Sequence, residues 1–285
     1  MTAGRYAPSP SGDLHVGNLR TALLAWLFAR STGREFLMRV EDLDTARTAD
    51  GAEARQLADL AAIGLDWDGD VVRQSSRTRL YAAALERLDV YECYCTRREI
   101  LAAPSAPHAP EGAYPGTCRD LTDAEREVRR RERPAAVRLR ASVDEFTVTD
   151  LLHGEYTGAV DDFVLRRGDG TYAYNLAVVV DDAAQGIDQV VRGDDLLSSA
   201  PRQAYLTSLL GGTPPTYAHV PLVLGPNGVR LAKRDGAVTL AERGGPSVVL
   251  RELAASLGLR GTTPREMLAG FDPAALPRAP WPLPI

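Results

Sequence analysis

The sequence predicts an α/β fold. It reads as a Rossmann-type parallel sheet split by an inserted α+β segment, with a small helical appendage at the C-terminal end. Three observations point there. Across roughly the first 90 residues, short apolar runs alternate with helical spacing, the pattern of a parallel sheet. That order breaks between about 91 and 175, where three cysteines and short strands replace it. Two loops suited to phosphate stand more than 200 residues apart, around Gly12 and Lys233.

The elements follow in order. Arg5–Ala7 ends a short buried strand, and Pro8–Gly12 is a turn feeding a helix. Leu19–Arg30 repeats apolar residues at helical spacing through Leu23, Leu24, Leu27 and Phe28, with Gly33 as its stop. Glu35–Val40 is a second strand, ending in the acidic run Glu41-Asp42-Leu43-Asp44. Ala52–Ile63 is a helix with Gly64 past its end, and Arg77–Leu88 is a third. Tyr91–Cys118 reads as cysteine-bearing loop. Thr122–Arg133 is a charged helix opened by a capping box, Thr122 to Glu125. Its alternating signs describe a solvated, salt-bridged face and carry no function. Val137–Arg140, Phe146–Asp150 and Phe163–Arg166 are short strands. Leu176–Asp181 and Gln189–Arg192 resume the parallel strands, followed by the helix Ala200–Leu210. Helices near Ser247–Leu257 and Thr263–Leu268 form the appendage, and the proline-rich tail from Pro273 lacks regular structure. The division expected is a catalytic-type domain over 1–240 and an appendage over 241–285.

Composition narrows the function. The formal net charge is −5, which argues against indiscriminate nucleic-acid binding, although arginines gathered on one face would still serve a specific RNA. No apolar run approaches the roughly 20 residues that span a bilayer, and the first residues lack a signal-peptide core, so a cytoplasmic protein is expected. The oligomeric state is open, with a monomer as the default.

One lysine, Lys233, stands against 32 arginines. Lysine is a slim point charge that reaches a single phosphate oxygen, where arginine is a broad fork. The second phosphate candidate is Arg5-Tyr6-Ala7-Pro8-Ser9-Pro10-Ser11-Gly12-Asp13-Leu14-His15-Val16-Gly17-Asn18. A helix N-terminus favours phosphate, Gly12 and Gly17 permit close backbone approach, and His15 can meet developing charge. Alone, His15 would read as a helix cap. Cys93, Cys95 and Cys118 fall within 26 residues and supply most of a tetrahedral zinc site. Spacing leaves the fourth ligand open, with His108 the conventional choice. His153 and His219 read as structural.

These motifs resemble those of class I aminoacyl-tRNA synthetases. His15-Val16-Gly17-Asn18 is similar to their "HIGH" signature. Arg230-Leu231-Ala232-Lys233-Arg234 is similar to "KMSKS", with Lys233 as the second lysine, Arg230 in place of the first and Ala232 in place of the serine. The prefix Arg5 to Gly12 resembles the glutamyl branch. Gly64 to Gly69, Tyr172 to Asp182 and Arg192 to Leu197 resemble the glutamyl-queuosine tRNA(Asp) synthetases, short relatives without an anticodon-binding domain. The likeness runs from Arg5 to about Ala241.

The resemblance implies ATP, with Mg²⁺, and L-glutamate as substrates, and tRNA(Asp) bearing queuosine as the acceptor. It places His15 and Lys233 in catalysis, and Arg5, Ala7, Ser9, Glu41, Tyr174 and Arg192 around glutamate. Arg5 and Arg192 would face the γ-carboxylate, Tyr174 adds a hydroxyl and Glu41 holds the α-ammonium. Pro10, Gly12, His15, Gly17, Asn18, Arg230, Leu231 and Lys233 would bind ATP. It points to Tyr114 as the fourth zinc ligand. Glutamyl-tRNA synthetases proper carry asparagine where Val178 stands, so Val178 is expected to alter polar recognition beside the amino acid. The body of some 50 residues after Lys233 leaves little room for a distant anticodon reader. The alternatives are a truncated glutamyl-tRNA synthetase charging the 3′ end, and a non-catalytic RNA-binding paralogue.

Overall fold

The first strand, β1 (Ala3–Tyr6), is buried along its whole length and lies inside the main sheet. The computed structural model describes residues 2–102, 113–231 and 238–284. Lys233, Ala232 and His108 lie outside the described residues.

β1 pairs in parallel with β2 (Glu35–Val40) on one side and β9 (Ile187–Gly193) on the other. The sheet continues outward from β2 to β3 (Val72–Arg73). From β9 it continues through β10 (Thr216–Val220) to β6 (Glu145–Asp150) and β7 (Gly154–Ala159). Every pair is parallel except the β6–β7 hairpin. The strand expected at Phe146–Asp150 therefore joins the main sheet. A separate antiparallel sheet joins β4 (Val90–Cys93), β5 (Ala136–Leu139) and β8 (Val164–Arg166).

Helix α1 (Val16–Ser31) starts three residues before the expected Leu19. His15 caps it, since its Nδ1 accepts from the Asn18 amide while the Asn18 side chain accepts from the His15 amide. This helix is the spine of the largest apolar cluster. Trp26, Leu27 and Phe28 pack there with Phe36 and Met38 of β2. Helices α8 (Pro246–Ser256) and α9 (Pro264–Leu268) share that cluster through Val249, Leu253 and Met267. α2 (Ala52–Ala62), α3 (Thr78–Leu85), α5 (Asp123–Glu132) and α7 (Ala200–Leu209) fall where periodicity predicts. The Thr122–Glu125 capping box forms at α5.

Three expectations need correction. Leu176–Asp181 is helix, inside α6 (Tyr174–Ala184). The amides of Leu176 and Ala177 both donate to the Ala173 carbonyl, and Leu176 to Asp182 are all buried. A helix covered on every side presents one continuous apolar run, which periodicity cannot tell from an interior strand. Tyr91–Cys118 is not all loop, because β4 pairs with β5 and α4 (Arg97–Ala102) follows it. The tail is partly regular. β12 (Trp281–Pro282) adds in parallel to β11 (Val223–Leu224), and Leu276 and Leu283 are buried.

Candidate active site

The parallel strands β1, β2, β9 and β10 all point their carboxyl ends at one cleft of about 550 Å³. Chain order turns back between β1 and β9, and such switch points are where open α/β sheets bind ligands. The residues at and beyond the ends of those strands form its walls: Ala7 to Ser9 after β1, Glu41 after β2, Gly193, Asp195 and Leu196 at the end of β9, and Leu222 with Val223 after β10.

The loop after β1 is pinned from three directions. The Glu41 amide donates to Pro8 O at 2.9 Å and the Ala49 amide to Pro10 O at 2.9 Å. The buried Gln56 carboxamide donates to Ser9 O at 3.0 Å and Gly12 O at 2.6 Å. Gln56 was not singled out from sequence, where a glutamine on a helix looks like surface. Gly12 has a φ of 140°, a conformation that disfavours side chains. Gly17 is needed for space, since a Cβ there would come within 3.0 Å of the His15 ring. The His15 imidazole thus lies over the first turn of α1, at the positive end of the helix.

At one end of the cleft, Arg5, Glu41, Tyr174 and Arg192 meet. Arg5 is held from behind by Asp182, through Nε at 3.2 Å and Nη2 at 3.4 Å. Arg39 also donates to Asp182, at 2.7 Å, and stands 3.8 Å from Asp181. Asp181 further accepts from Gln74 at 2.9 Å and Tyr81 at 2.8 Å. Burial alone would raise the Asp182 carboxyl, but the Arg5 and Arg39 charges outweigh it and hold its pKa low. Burial raises Glu41, against the pull of Arg39 and Arg5.

Arg192 differs from Arg5. It is equally buried, yet its hydrogen bonds go to neutral acceptors. These are His219 Nε2 at 3.0 Å, Gln203 Oε1 at 2.7 Å, Tyr174 Oη at 3.3 Å and Leu196 O at 3.4 Å. Among the described residues it has no ion-pair partner.

Gly12, His15, Gly17, Asn18 and Arg230 also line the cleft, and Arg230 pairs with Asp195. Arg47 also lines it and was not foreseen, because it lies in a short 3₁₀ turn without periodic signal. Three expected residues stand elsewhere. Pro10 is buried within the loop and is not part of the wall. The Leu231 side chain is in the main apolar cluster, its amide donating to Val223 O at 2.9 Å. Val178 is buried in the cluster with Tyr81, Leu139 and Leu206 and does not line the cleft. Leu231 and Val238 border the segment containing Lys233. The Val16 amide donates to Val238 O at 2.8 Å, so that border adjoins the start of α1.

The cysteines form a second centre. The Sγ atoms of Cys93, Cys95 and Cys118 all lie within 4.8 Å of one another. Tyr114 Oη is 3.4 Å from Cys93 Sγ and 4.0 Å from Cys95 Sγ, and accepts from the Cys118 amide at 2.7 Å. Thiolates about 2.3 Å from a tetrahedral metal stand about 3.8 Å apart, so this donor set fits one ion. Without metal, burial pushes the Cys95 thiol up to about 12. None of these residues lines the cleft.

Comparisons with known proteins agree with this geometry. A family model described as class I tRNA synthetases (E and Q), catalytic domain, matches residues 2–272. The chain is 69% identical to a protein of Nocardia farcinica named glutamyl-Q tRNA(Asp) synthetase, over 98% of this chain and 92% of that one. It is 56% identical to a protein of the same name from Cutibacterium acnes, over 90% of this chain and 76% of that one. Among solved structures, glutamate-tRNA synthetase from Elizabethkingia anophelis superposes with a TM-score of 0.82 at 27% identity. That match covers all of this chain and 68% of that one.

Proposed function

The chain belongs to the class I tRNA synthetases of the E and Q type and is a ligase-type enzyme, and from that premise we propose that it activates glutamate with ATP and transfers it to queuosine in the anticodon of tRNA(Asp). The observation that carries the glutamate assignment is Arg192, a buried guanidinium bonded only to neutral acceptors. A buried charge lacking a counter-ion favours an anionic ligand, and a carboxylate fits the guanidinium fork. The γ-carboxylate sits against Arg192, with Arg5 beside it, and Tyr174 supplies a hydroxyl. Glu41 takes the α-ammonium, and Ala7 and Ser9 form the floor.

The glutamate α-carboxylate oxygen then attacks the α-phosphorus of ATP. The bond to the bridging oxygen breaks, and pyrophosphate leaves with the electron pair. His15 and Lys233, with the Mg²⁺ carried by ATP, stabilise charge on the phosphates, while Gly12, Gly17, Asn18 and Arg230 position them. In the second step a hydroxyl oxygen of the RNA attacks the adenylate carbonyl, an ester forms, and AMP departs.

The names of the relatives support queuosine as the acceptor, at identities up to 69% over nearly the whole chain. The acceptor is a hydroxyl of the queuosine cyclopentene-diol. A cytoplasmic setting goes with this substrate, and no described helix is long and apolar enough to cross a membrane. Cys93, Cys95, Cys118 and Tyr114 would hold one zinc ion, whose part is structural, tying the end of β4 to the segment carrying Cys118.

The test uses labelled glutamate, ATP and tRNA(Asp) with or without queuosine, followed by nuclease digestion. The label is expected on an anticodon-loop fragment, and only with queuosine present. Label on the 3′-terminal nucleoside would instead identify an enzyme that charges tRNA ends.

A further inference from the structure

Arg192 on β9 and His219 on β10 are register partners on adjacent parallel strands, so their side chains leave the same face of the sheet. The Arg192 Nε–H donates to His219 Nε2 at 3.0 Å. Arginine has donors only, so Nε2 must carry the lone pair. The other ring nitrogen, Nδ1, lies 2.6 Å from Asp150 Oδ2. An ionised carboxylate has acceptors only, so Nδ1 carries the proton. The imidazole is therefore neutral and in one tautomer.

Asp150 is itself immobilised. Its Oδ2 also accepts the His219 amide at 3.0 Å, and its Oδ1 accepts the amides of Leu152 and His153 at 2.8 and 3.0 Å. The side chains of Asp150 and His219 are wholly buried. Among the described residues Asp150, Arg192 and His153 act on the ring through charge or hydrogen bond, and the Tyr217 ring stacks on it at 5.6 Å.

We infer that Asp150 and His219 are positioning residues for the amino-acid specificity of this enzyme, holding Arg192 by its Nε edge without neutralising it. The inference rests on the assignment of Arg192 to the γ-carboxylate. A carboxylate bonded straight to Arg192, as Asp182 is bonded to Arg5, would compete with the substrate for the same charge. A neutral imidazole between them orients the guanidinium and leaves its charge for the ligand. Asp150 then acts one ring away, by fixing which nitrogen bears the proton. Burial, helped by the Arg192 charge and opposed by the Asp150 hydrogen bond, holds the His219 pKa below its usual value and keeps the ring neutral.

Three variants and one spectrum test this. Glutamate-dependent pyrophosphate–ATP exchange gives separate KM values for glutamate and ATP. His219→Phe keeps a ring but removes the acceptor, and is expected to raise the glutamate KM about tenfold while the ATP KM stays within about twofold. His219→Gln places an amide oxygen near the Nε2 position and should recover most of that loss. Nitrogen-15 spectra of the wild-type ring, one of only four histidines, should show the proton on Nδ1. A proton on Nε2, or an unchanged glutamate KM in a folded His219→Phe, overturns the inference. If His219→Phe does not fold, the glutamine variant and the spectrum still decide. Arg192→Lys separates the two readings. If it leaves the glutamate KM unchanged, the γ-carboxylate assignment fails and the relay with it. If it raises that KM while His219→Phe does not, the relay alone fails.

Discussion

Glu41 Oε1 stands 3.5 Å from Nη2 of Arg39, a guanidinium with no exposed side-chain surface. Both groups sit under the amino-acid end of the cleft, and burial raises the Glu41 pKa despite this neighbour. A carboxyl whose pKa is higher folded than unfolded holds its proton more tightly in the folded state. Its stabilising contribution is complete below the unfolded pKa and is lost as pH rises through the folded one.

Glu41→Gln should therefore be more stable than wild type at neutral pH, with a Tm rise on the order of 2 °C. It should also raise the glutamate KM at least about tenfold, since the α-ammonium loses its partner. Calorimetry and pyrophosphate exchange read the two effects. For the same reason the wild-type glutamate KM should rise as pH falls, starting above the range of an ordinary glutamate. A variant both less stable and fully active would contradict the assignment.

Arg192→Gln is expected to lower kcat/KM for glutamate about a hundredfold and narrow the preference over glutamine. The substitution removes a buried cation of the cleft whose hydrogen bonds, among the described residues, all go to neutral acceptors. Competition between the two amino acids in pyrophosphate exchange measures this. An unchanged preference would move acid recognition to Arg5.

The lone lysine gives a third expectation. Lys233→Arg should slow adenylate formation about a hundredfold despite keeping the charge, the usual loss for one well-placed transition-state donor. Single-turnover measurement of pyrophosphate release tests this. A rate near wild type would make the lysine incidental.

Metal analysis of gently purified protein should find at most one zinc, lost in Cys93→Ser and Cys118→Ser. Tyr114→Phe should bind it more weakly. Zinc retained by the cysteine variants would remove these thiols from the ligand set. Zinc retained by Tyr114→Phe but lost from His108→Ala would transfer the fourth position to His108.

Much of the fold was legible because helices such as α2, α3 and α5 keep a polar face and its strands are short. β2 was read to the residue, and the Thr122 cap was visible from its partner three positions on. The strand–helix error at α6 has a physical cause, since a helix buried all round hides its period. The cleft-lining loop was legible because prolines, glycines and a histidine gather in one stretch. The partners behind it were not. Gln56, Asp182, Gln203 and His219 are far apart in sequence and meet only through sheet order. Sequence spacing cannot show that β9 lies between β1 and β10, and that arrangement turns a histidine read as structural into the neighbour of Arg192.

The same arrangement sets a timetable. Arg5 rides on β1 and Arg192 on β9, adjacent strands whose arginines are separated by 187 positions. At about 5–20 residues per second, the ribosome delivers the second arginine roughly 9–40 s after the first. Until then β1 has no neighbour on that side, and an unpaired strand edge invites pairing with other chains. Closing so long a loop also slows the docking of β9 itself. The half-built sheet is thus a stage at which the nascent chain carries an open strand edge.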